Sequence, residues 1–330
     1  MKKILRITRK ALVVLISAFV VLLAFLLVFY VLENKRLEKN DRMLLENAST
    51  RLIQSDTADI MSRLPLNLIP VPQKTLIMEG FYQVPENPVY TADDTLTDEI
   101  DAILLNFPEI KASFSKKQGD IVISYINDLR PEGYRMEILP GRISIEFTDI
   151  RGLHYAFVSL KILNHNHNGL LPCAVIEDYP DLPIRGLMLD ISRDKVPTFE
   201  TLRKIAELAA DLKYNHLELY MEGFSFAYPS FRQLWENKET PVTGEEIRNL
   251  DAFCRTHFID FVPNQNSLGH MTAWLSSEEF ADLAECPDGY KFMGILDMKS
   301  TLDPSNPQSL ELITKMTEDL LPNFTSDKFN

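Results

Sequence analysis

The sequence predicts an α/β protein in which an N-terminal transmembrane helix precedes a small α+β domain and the incomplete, first half of a TIM (β/α)8 barrel. Three observations support this prediction: a long stretch without charge near the N terminus, mixed strand and helix patterns up to residue 178, and a regular alternation of strand and helix from residue 184. The four predicted segments are a cytoplasmic head with its anchor, a helical stalk, the α+β domain and the half barrel, at residues 1–32, 33–64, 65–178 and 179–330.

The composition is that of a mostly globular, acidic protein. The chain has 330 residues, of which 45% are hydrophobic and 25% charged, and its formal net charge is -13. Because binding to a phosphate backbone needs clustered Lys and Arg, this charge argues against a nucleic-acid partner. The three cysteines are scattered and form no CxxC pair, so neither a disulfide framework nor a zinc site is predicted.

The predicted anchor is the stretch "ALVVLISAFVVLLAFLLVFYVL" from Ala11 to Leu32, which contains 22 residues and no charge. At a helical rise of about 1.5 Å per residue, this length crosses a hydrocarbon layer of about 30 Å. A cleaved signal peptide is the alternative, but its apolar region is shorter and ends in a cleavage site, whereas the charged "VLENKRLEKN" follows here. We therefore expect a single-pass membrane protein with the bulk of the chain outside the cytoplasm.

The segment after the anchor is predicted to be a helical stalk. Its apolar residues recur at offsets of seven and eight, which is typical of an amphipathic helix. A solvated stalk and a short coiled coil that pairs two copies into a homodimer are both compatible with this pattern. Pro65, Pro70 and Pro72 end the helical pattern and mark the start of the first folded domain.

The α+β domain is recognised by a hairpin followed by a helix. In "YRMEILPGRISIEF" the apolar residues Ile143, Ile145 and Phe147 alternate, and Pro140-Gly141 supplies a turn. The helix that follows has apolar residues at Leu153, Ala156, Phe157, Leu160 and Leu163 on one side, so we expect it to pack on the sheet.

From Ile184 the pattern alternates between buried strand and amphipathic helix. The strands are "IRGLMLDI", "HLELYM" and "IDFVPNQN", and the helices are predicted to begin near Thr198, Thr243, Ser276 and Asn306. A dinucleotide-binding fold would need GxGxxG after its first strand, which the sequence lacks, so a barrel is favoured. A complete barrel takes about 250 residues. Ile184 to Asn330 spans 147 (330 − 184 + 1), with a fourth strand only beginning at Phe329-Asn330, and the sequence therefore leads us to expect that the natural chain continues.

Polar side chains follow each predicted strand at the end where barrel enzymes have their sites. The first strand ends in Asp190 and Arg193, the second ends in Glu222, and the third ends in Asn266, with His270 shortly after it. Three aromatic residues come after Glu222, namely Phe224, Phe226 and Tyr228. Amides, a carboxylate and an imidazole beside aromatic rings are suited to a hydroxyl-rich ring. Taken singly, the same residues also fit a loop-tying ion pair, a solvated carboxylate and a packed histidine.

At these residues the sequence resembles glycoside hydrolase family 20, the β-N-acetylhexosaminidases. The likeness extends from about Leu66 to Asn330 and is carried by "DYPDLPIRGLMLDISRDKVP", "YNHLELYMEGFSFAY" and "FVPNQNSLGHM". The resemblance implies that Arg185 hydrogen-bonds sugar hydroxyls, that Glu222 supports the sugar side of the pocket, and that His270 orients the catalytic acid. Position alone would favour Asp190 over Arg185 as a substrate-binding residue. Arg185 starts its strand, and the site of a barrel enzyme lies at the opposite end of the strands.

The resemblance also implies a reaction. Family members carry adjacent Asp and Glu after Gly-Gly at the end of strand four, and "LLPNFTSDKFN" resembles the approach to that motif. We therefore expect no catalytic residue within these 330 residues, no activity from them alone, and no metal or organic cofactor. The substrate's own acetamido oxygen would attack the anomeric carbon, while the Glu protonates the leaving group and the Asp steadies the acetamido group.

The sequence thus predicts a membrane-anchored exo-β-N-acetylhexosaminidase that removes terminal β-linked N-acetylglucosamine or N-acetylgalactosamine from a glycan. Two alternatives stay open at this point: a non-catalytic, membrane-tethered glycan-binding protein, and a hydrolase similar to O-GlcNAcases, which use two adjacent Asp. The predicted partner is a glycan with a terminal N-acetylhexosamine.

Overall fold

The computed structural model describes residues 17, 19–36, 39, 42, 66–117, 119–193, 196–236 and 240–330. The chain divides into two compact units, residues 1–65 and residues 66–330. The α+β domain and the half barrel both belong to the second unit.

In the first unit, residues 17 and 19–36 are helical. Of the predicted anchor, residues 11–16 and 18 lie outside the described residues. Within the part of the chain that the structure describes, we find no helix that combines the length and the apolar character needed to span a bilayer. The predicted stalk lies outside the described residues except for 33–36, 39 and 42, and its pairing into a dimer stays a prediction.

The second unit begins with a seven-stranded mixed sheet. Its strands are β1 (Lys74–Gln83), β2 (Val89–Thr91), β3 (Ser113–Phe114), β4 (Ile121–Tyr125), β5 (Tyr134–Leu139), β6 (Arg142–Phe147) and β7 (Leu170–Asp178), and its helices are α1 (Thr97–Leu104) and α2 (Ile150–Asn166). The strand order is β1-β7-β5-β6-β4-β2-β3. β5 and β6 form the predicted antiparallel hairpin, with Gly141 at φ +94° in its turn, which confirms that prediction.

Helix α2 packs on this sheet as predicted. All five residues of its apolar stripe are buried, and each of its Leu and Phe side chains contributes about 1.5–3 kcal/mol through removal from water. Asp149 caps the helix by accepting a hydrogen bond from the Gly152 N–H at 2.9 Å. A Cβ atom at Gly152 would lie 2.3 Å from the carbonyl oxygen of Gly133, so only glycine allows this close approach.

The half barrel contains three parallel strands in the order β10-β9-β8. These strands are β8 (Gly186–Asp190), β9 (His216–Met221) and β10 (Asp260–Gln265), and a separate small hairpin is formed by β11 (Tyr290–Phe292) and β12 (Leu296–Met298). The helices are α3 (Phe199–Asp211), α4 (Arg232–Trp235), α5 (Gly244–Thr256), α6 (Thr272–Leu275) and α7 (Pro307–Leu320). The predicted alternation of strand and helix in this region is therefore confirmed.

The helix starts that were predicted from capping residues are mostly correct. Thr198 and Asn306 cap α3 and α7, and Thr243 and Glu246 form both hydrogen bonds of a capping box at α5. The predicted helix start at Ser276 is wrong, because this residue ends α6 and its hydroxyl donates to the Thr272 carbonyl oxygen.

A fourth strand position is present at Asn330. The Asn330 N–H donates to the Pro263 carbonyl oxygen at 3.0 Å, and its own carbonyl oxygen accepts from the Gln265 N–H at 3.0 Å. These two bonds continue the sheet beyond β10, as the sequence predicted for Phe329-Asn330.

Buried charges join the α+β domain to the amino ends of the barrel strands. Lys213 forms an ion pair of 2.7 Å with Asp178, and both side chains are about one-tenth exposed, at 8% and 11%. The Tyr134 hydroxyl accepts from Lys213 at 3.3 Å and bonds Ser159 at 2.7 Å. Each buried charge therefore has a partner, as burial requires.

A buried histidine lies between the same two domains. His154 of α2 is fully buried beside Phe107, His257 and Phe258, and neither ring nitrogen has a hydrogen-bond partner among the described residues. Burial, together with the nearby His257, Lys161 and Lys213, lowers the pKa of His154 to about 3. The imidazole is consequently neutral in the folded protein at neutral pH.

We expect this histidine to make the protein sensitive to acid. Below the ordinary pKa of 6.5 the unfolded chain binds a proton at His154 that the folded chain rejects, so stability is lost as the pH falls from 6.5 towards 3. Between pH 6.5 and pH 5, the free energy of unfolding of the unsubstituted protein should fall by about 2 kcal/mol through His154, as measured by urea unfolding. The His154→Phe variant should not show this loss. The exposed His165→Phe is the control. If the free energy of unfolding depended on pH equally in both variants, His154 would not be the cause of the acid sensitivity.

Candidate functional site

Glu222 is the centre of a polar cluster at the carboxyl ends of the barrel strands. Its Oε2 atom accepts from the Tyr220 hydroxyl at 3.2 Å and lies 3.3 Å from Arg193 Nη2 and 3.5 Å from His270 Nδ1. Glu222 follows β9 and His270 lies in the loop after β10, so parallel strands bring them to the same edge. One carboxylate is thus in contact with side chains that follow or end all three barrel strands.

Asp190, the last residue of β8, fixes the turn that carries Arg193. Its Oδ1 atom accepts from the Ser192 N–H at 2.9 Å and from the Ser192 hydroxyl at 2.7 Å, and its Oδ2 atom accepts from Arg193. Burial disfavours ionisation, but the hydrogen bonds from Ser192 and the charge of Arg193 outweigh it and lower the pKa of Asp190. The Arg193 guanidinium also lies 5.3 Å from the centre of the Tyr220 ring.

The backbone around this cluster is shaped by residues with positive φ. Gly223 has φ +58° and His270 has φ +57°, a conformation that side-chain-bearing residues rarely adopt and that is often found at functional positions. The Glu222 N–H donates to the Ser225 hydroxyl at 3.2 Å, which fixes the start of the loop. Together these segments enclose a cavity of about 180 Å³, lined among others by Arg193, Glu222, Phe224, Ser225 and His270.

The aromatic wall that the sequence predicted is only partly available. Phe226 and Tyr228 are buried at 1% and 0% exposure, and the Tyr228 hydroxyl donates to Gln265 in the interior. The expectation that both rings face a ligand is therefore wrong, since they fill the core beneath the loop. Phe224 does line the cavity, and its ring packs 4.7 Å from the ring of Trp274.

Asn266 lies at the same end of the barrel but apart from the Glu222 cluster. Its N–H donates to the Met221 carbonyl oxygen at 3.1 Å, and its side-chain Nδ2 is buried without a partner among the described residues. The structure therefore places Asn266 beside β9, and it does not line the cavity around Glu222.

Arg185 lies at the opposite end of its strand. Its guanidinium donates to Glu132 at 2.6 Å, to the Tyr155 hydroxyl at 2.8 Å and to the Lys213 carbonyl oxygen at 2.8 Å. It also donates to the Leu182 carbonyl oxygen at 2.7 Å. The structure thus brings Asp190, Glu222 and His270 together and leaves Arg185 in the interface with the α+β domain. A contact between Arg185 and a sugar stays a prediction, and this geometry does not provide it.

One polar group of the barrel interior was missed by the sequence analysis. Glu218 of β9 accepts from His216 at 2.6 Å, from Asn264 at 2.7 Å and from Asn330 at 3.0 Å. Burial opposes its ionisation, but these hydrogen bonds outweigh burial and lower the pKa of Glu218. The signal was present in "HLELYM", where His, Glu and Tyr alternate with residues that face the helices.

A metal site is not formed by these side chains. Across the described ranges, no group of three or more His, Cys, Asp or Glu residues could hold a metal ion. The side chains of Glu222, His270, Arg193 and Asp190 can hydrogen-bond a ligand and stabilise charge on it.

Comparison with known proteins identifies the chain. Sequence models of one family match consecutive regions: "Glycosyl hydrolase family 20, domain 2" matches residues 66–179, and "Glycosyl hydrolase family 20, catalytic domain" matches residues 182–330. The two matches define the chain as part of the glycosyl hydrolase class. It belongs to glycoside hydrolase family 20, the β-hexosaminidase family.

Individual relatives agree with this assignment. Beta-hexosaminidase subunit A1 of Dictyostelium discoideum is 25% identical over 298 residues, which cover 83% of this chain and 54% of the relative. Beta-hexosaminidase of Akkermansia muciniphila is 27% identical over 164 residues, covering 44% of this chain and 33% of the relative. The chain thus spans between a third and about half of the length of these two curated relatives.

Solved structures share the fold. The beta-N-acetylhexosaminidase from Bacteroides fragilis matches with a TM-score of 0.65 and 22% identity, over 79% of this chain and 56% of that one. An exo beta-N-acetylglucosaminidase from Vibrio harveyi, solved in complex with N-acetylglucosamine, matches with a TM-score of 0.67 and 21% identity, over 79% and 46% of the two chains.

We expect the polar layer around Glu218 to be important for stability. Glu218→Gln replaces one acceptor oxygen by an amide donor that faces other donors. This change should lower the free energy of unfolding, measured with urea at pH 7, by about 1–3 kcal/mol. Because the pKa of Glu218 is lowered in the folded protein, this cost should shrink as the pH falls below the ordinary value of 4.5. Glu200→Gln, on an exposed helix surface, is the control, and an equal cost in both variants would contradict the prediction.

Proposed function

We propose that this chain forms the substrate-recognition half of an exo-β-N-acetylhexosaminidase that releases terminal β-linked N-acetylglucosamine or N-acetylgalactosamine. The observation that carries the proposal is the cluster at the carboxyl ends of the barrel strands, where Glu222 holds Tyr220, Arg193 and His270. The cluster occupies the end of the barrel at which such enzymes bind substrate.

Each member of the cluster has a role in this proposal. Glu222 accepts hydroxyl or amide hydrogens on the sugar side of the pocket, and Arg193 and Tyr220 keep its carboxylate in place. Asp190 holds the turn that carries Arg193. His270, with Nδ1 3.5 Å from Glu222, orients the catalytic acid.

The proposed reaction is substrate-assisted and retaining. The acetamido oxygen attacks the anomeric carbon, a Glu protonates the leaving oxygen, and the adjacent Asp steadies the acetamido group. The resemblance puts this Asp-Glu pair at the end of strand four, a position that residues 1–330 do not include. A solved relative supports an amino sugar as substrate, because a Streptomyces plicatus β-hexosaminidase variant forms a complex with the product GlcNAc.

An assay on an aryl N-acetyl-β-glucosaminide tests this function. The complete protein should release the aryl group, whereas residues 1–330 alone should not, and turnover by the shorter form would refute the assignment of the site. In the complete protein, Glu222→Gln should lower kcat/KM at least about tenfold, since a hydrogen bond to a charged group contributes about 1.5–3 kcal/mol. Glu200→Gln is the control. Binding of N-acetylglucosamine by the complete protein without hydrolysis would instead favour a glycan-binding protein.

We also propose that residues 11–32 anchor the protein in a membrane with the folded domains on the extracytoplasmic side. The support is the run of 22 residues without charge. The protein should stay in the membrane pellet after alkaline carbonate extraction, and a variant lacking residues 1–32 should move to the supernatant. Release of both forms into the supernatant would contradict the anchor.

A further inference from the structure

A cleft of about 640 Å³ lies in the α+β domain, away from the barrel cluster. Its walls come from the end of α2 and the turn that follows, from the end of β1, and from the segment after α1. Its floor is apolar and is formed by the buried side chains of Ile110, Ile121 and Leu160. The volume lies within the range of about 300–1,000 Å³ that is typical of small-molecule sites.

The rim of the cleft is rich in carboxamides, part of which belong to the sequence "NHNHNG" from Asn164 to Gly169. Gln83, Asn164 and Asn168 contribute amide groups, and His165 contributes an imidazole. In the described chain, the side chains of Asn164, His165 and Asn168 make no hydrogen bond, and the Asn164 Oδ1 atom is buried without a partner. A buried acceptor without a donor costs about 1–3 kcal/mol, so a ligand that supplies a donor would recover this energy.

Gly169 keeps the rim open. Its φ is +81°, and a Cβ atom there would lie 3.0 Å from Gln83 Nε2 and 3.7 Å from Asn164 Oδ1. A side chain at this position would therefore fill the space between the two amides. The Gly169 carbonyl oxygen accepts from the Val84 N–H at 2.9 Å and from Gln83 Nε2 at 3.2 Å, which holds both walls at a fixed separation.

The charges on the rim argue against an anionic ligand. Glu86 and Glu109 face Lys111, whose ammonium lies 4.0 Å from Glu86, so no excess of cations attracts a phosphate or carboxylate. An apolar ligand would cover the free amides without hydrogen-bonding them, which is unfavourable. Hydroxyl groups both donate and accept, as carboxamides do, and the carbon-bound face of a sugar ring suits the apolar floor.

We propose that this cleft binds a neutral oligosaccharide, as a glycan site separate from the barrel. The site goes beyond the proposed hydrolase function, because the α+β domain would then hold a part of the glycan that is not being cleaved. Asn164 and Asn168 contact the sugar hydroxyls, and Gly169 leaves room for the ring.

Titration calorimetry of the 330-residue chain with chitotriose and with maltotriose tests the proposal. At least one trisaccharide should bind saturably with a Kd below about 10 mM. Asn164→Leu and, independently, the exposed Asn168→Ala should each weaken binding at least about tenfold, equivalent to 1.4 kcal/mol. Asn166→Leu is the matched control, because Asn166 lies on the same helix outside the cleft and its Nδ2 donates to the Asn67 carbonyl oxygen.

The barrel variant Glu222→Gln separates this site from the proposed active site, because Glu222 does not line the cleft and its replacement should leave intact the binding that Asn164→Leu and Asn168→Ala weaken. The proposal would be overturned if the Glu222→Gln variant lost trisaccharide binding while the two cleft variants retained it. The ligand would then lie in the barrel. Equal weakening by Asn164→Leu and Asn166→Leu, or no binding of either trisaccharide at about 10 mM, would also overturn it.

Discussion

The packing of the second unit depends on the ion pair between Lys213 and Asp178. Neither charge can be buried alone, because removing one partner of such a pair costs about 3–5 kcal/mol. Asp178 is the last residue of β7, a strand in the interior of the sheet, and Lys213 follows α3, so the pair fixes where the half barrel meets the α+β domain. With the amino ends of the barrel strands covered in this way, the carboxyl ends remain free for Glu222 and its partners.

Most of the secondary structure of the second unit could be predicted because it is determined locally. Alternation and a turn identified the β5–β6 hairpin, apolar segments identified β8, β9 and β10, and side-chain caps such as Thr198 and Asn306 identified helix starts. Ser276 failed because a serine can end a helix as well as begin one, and the choice depends on the preceding turn. The aromatic residues failed for a different reason: a sequence shows that a ring follows a strand, but only packing decides whether it turns inward.

The candidate site could be predicted where topology alone brings residues together. Asp190 ends a parallel strand and Glu222 and His270 each come after one, and the carboxyl ends of parallel strands meet at one edge of the sheet. Arg185 could not be placed in this way, because its long side chain has partners from another domain. Glu218 was overlooked since its partners, His216, Asn264 and Asn330, come from three strand positions and become visible only when the sheet is assembled.

The contacts of Arg185 have a consequence for the modularity of the chain. The residue that opens the first barrel strand is held by Glu132 and Tyr155, which both belong to the preceding domain. A barrel transplanted without that domain would expose a guanidinium and an unsupported strand at its base. Recombination between homologous genes would therefore have to transfer the two domains together, or replace the residues on both sides of their interface at the same time.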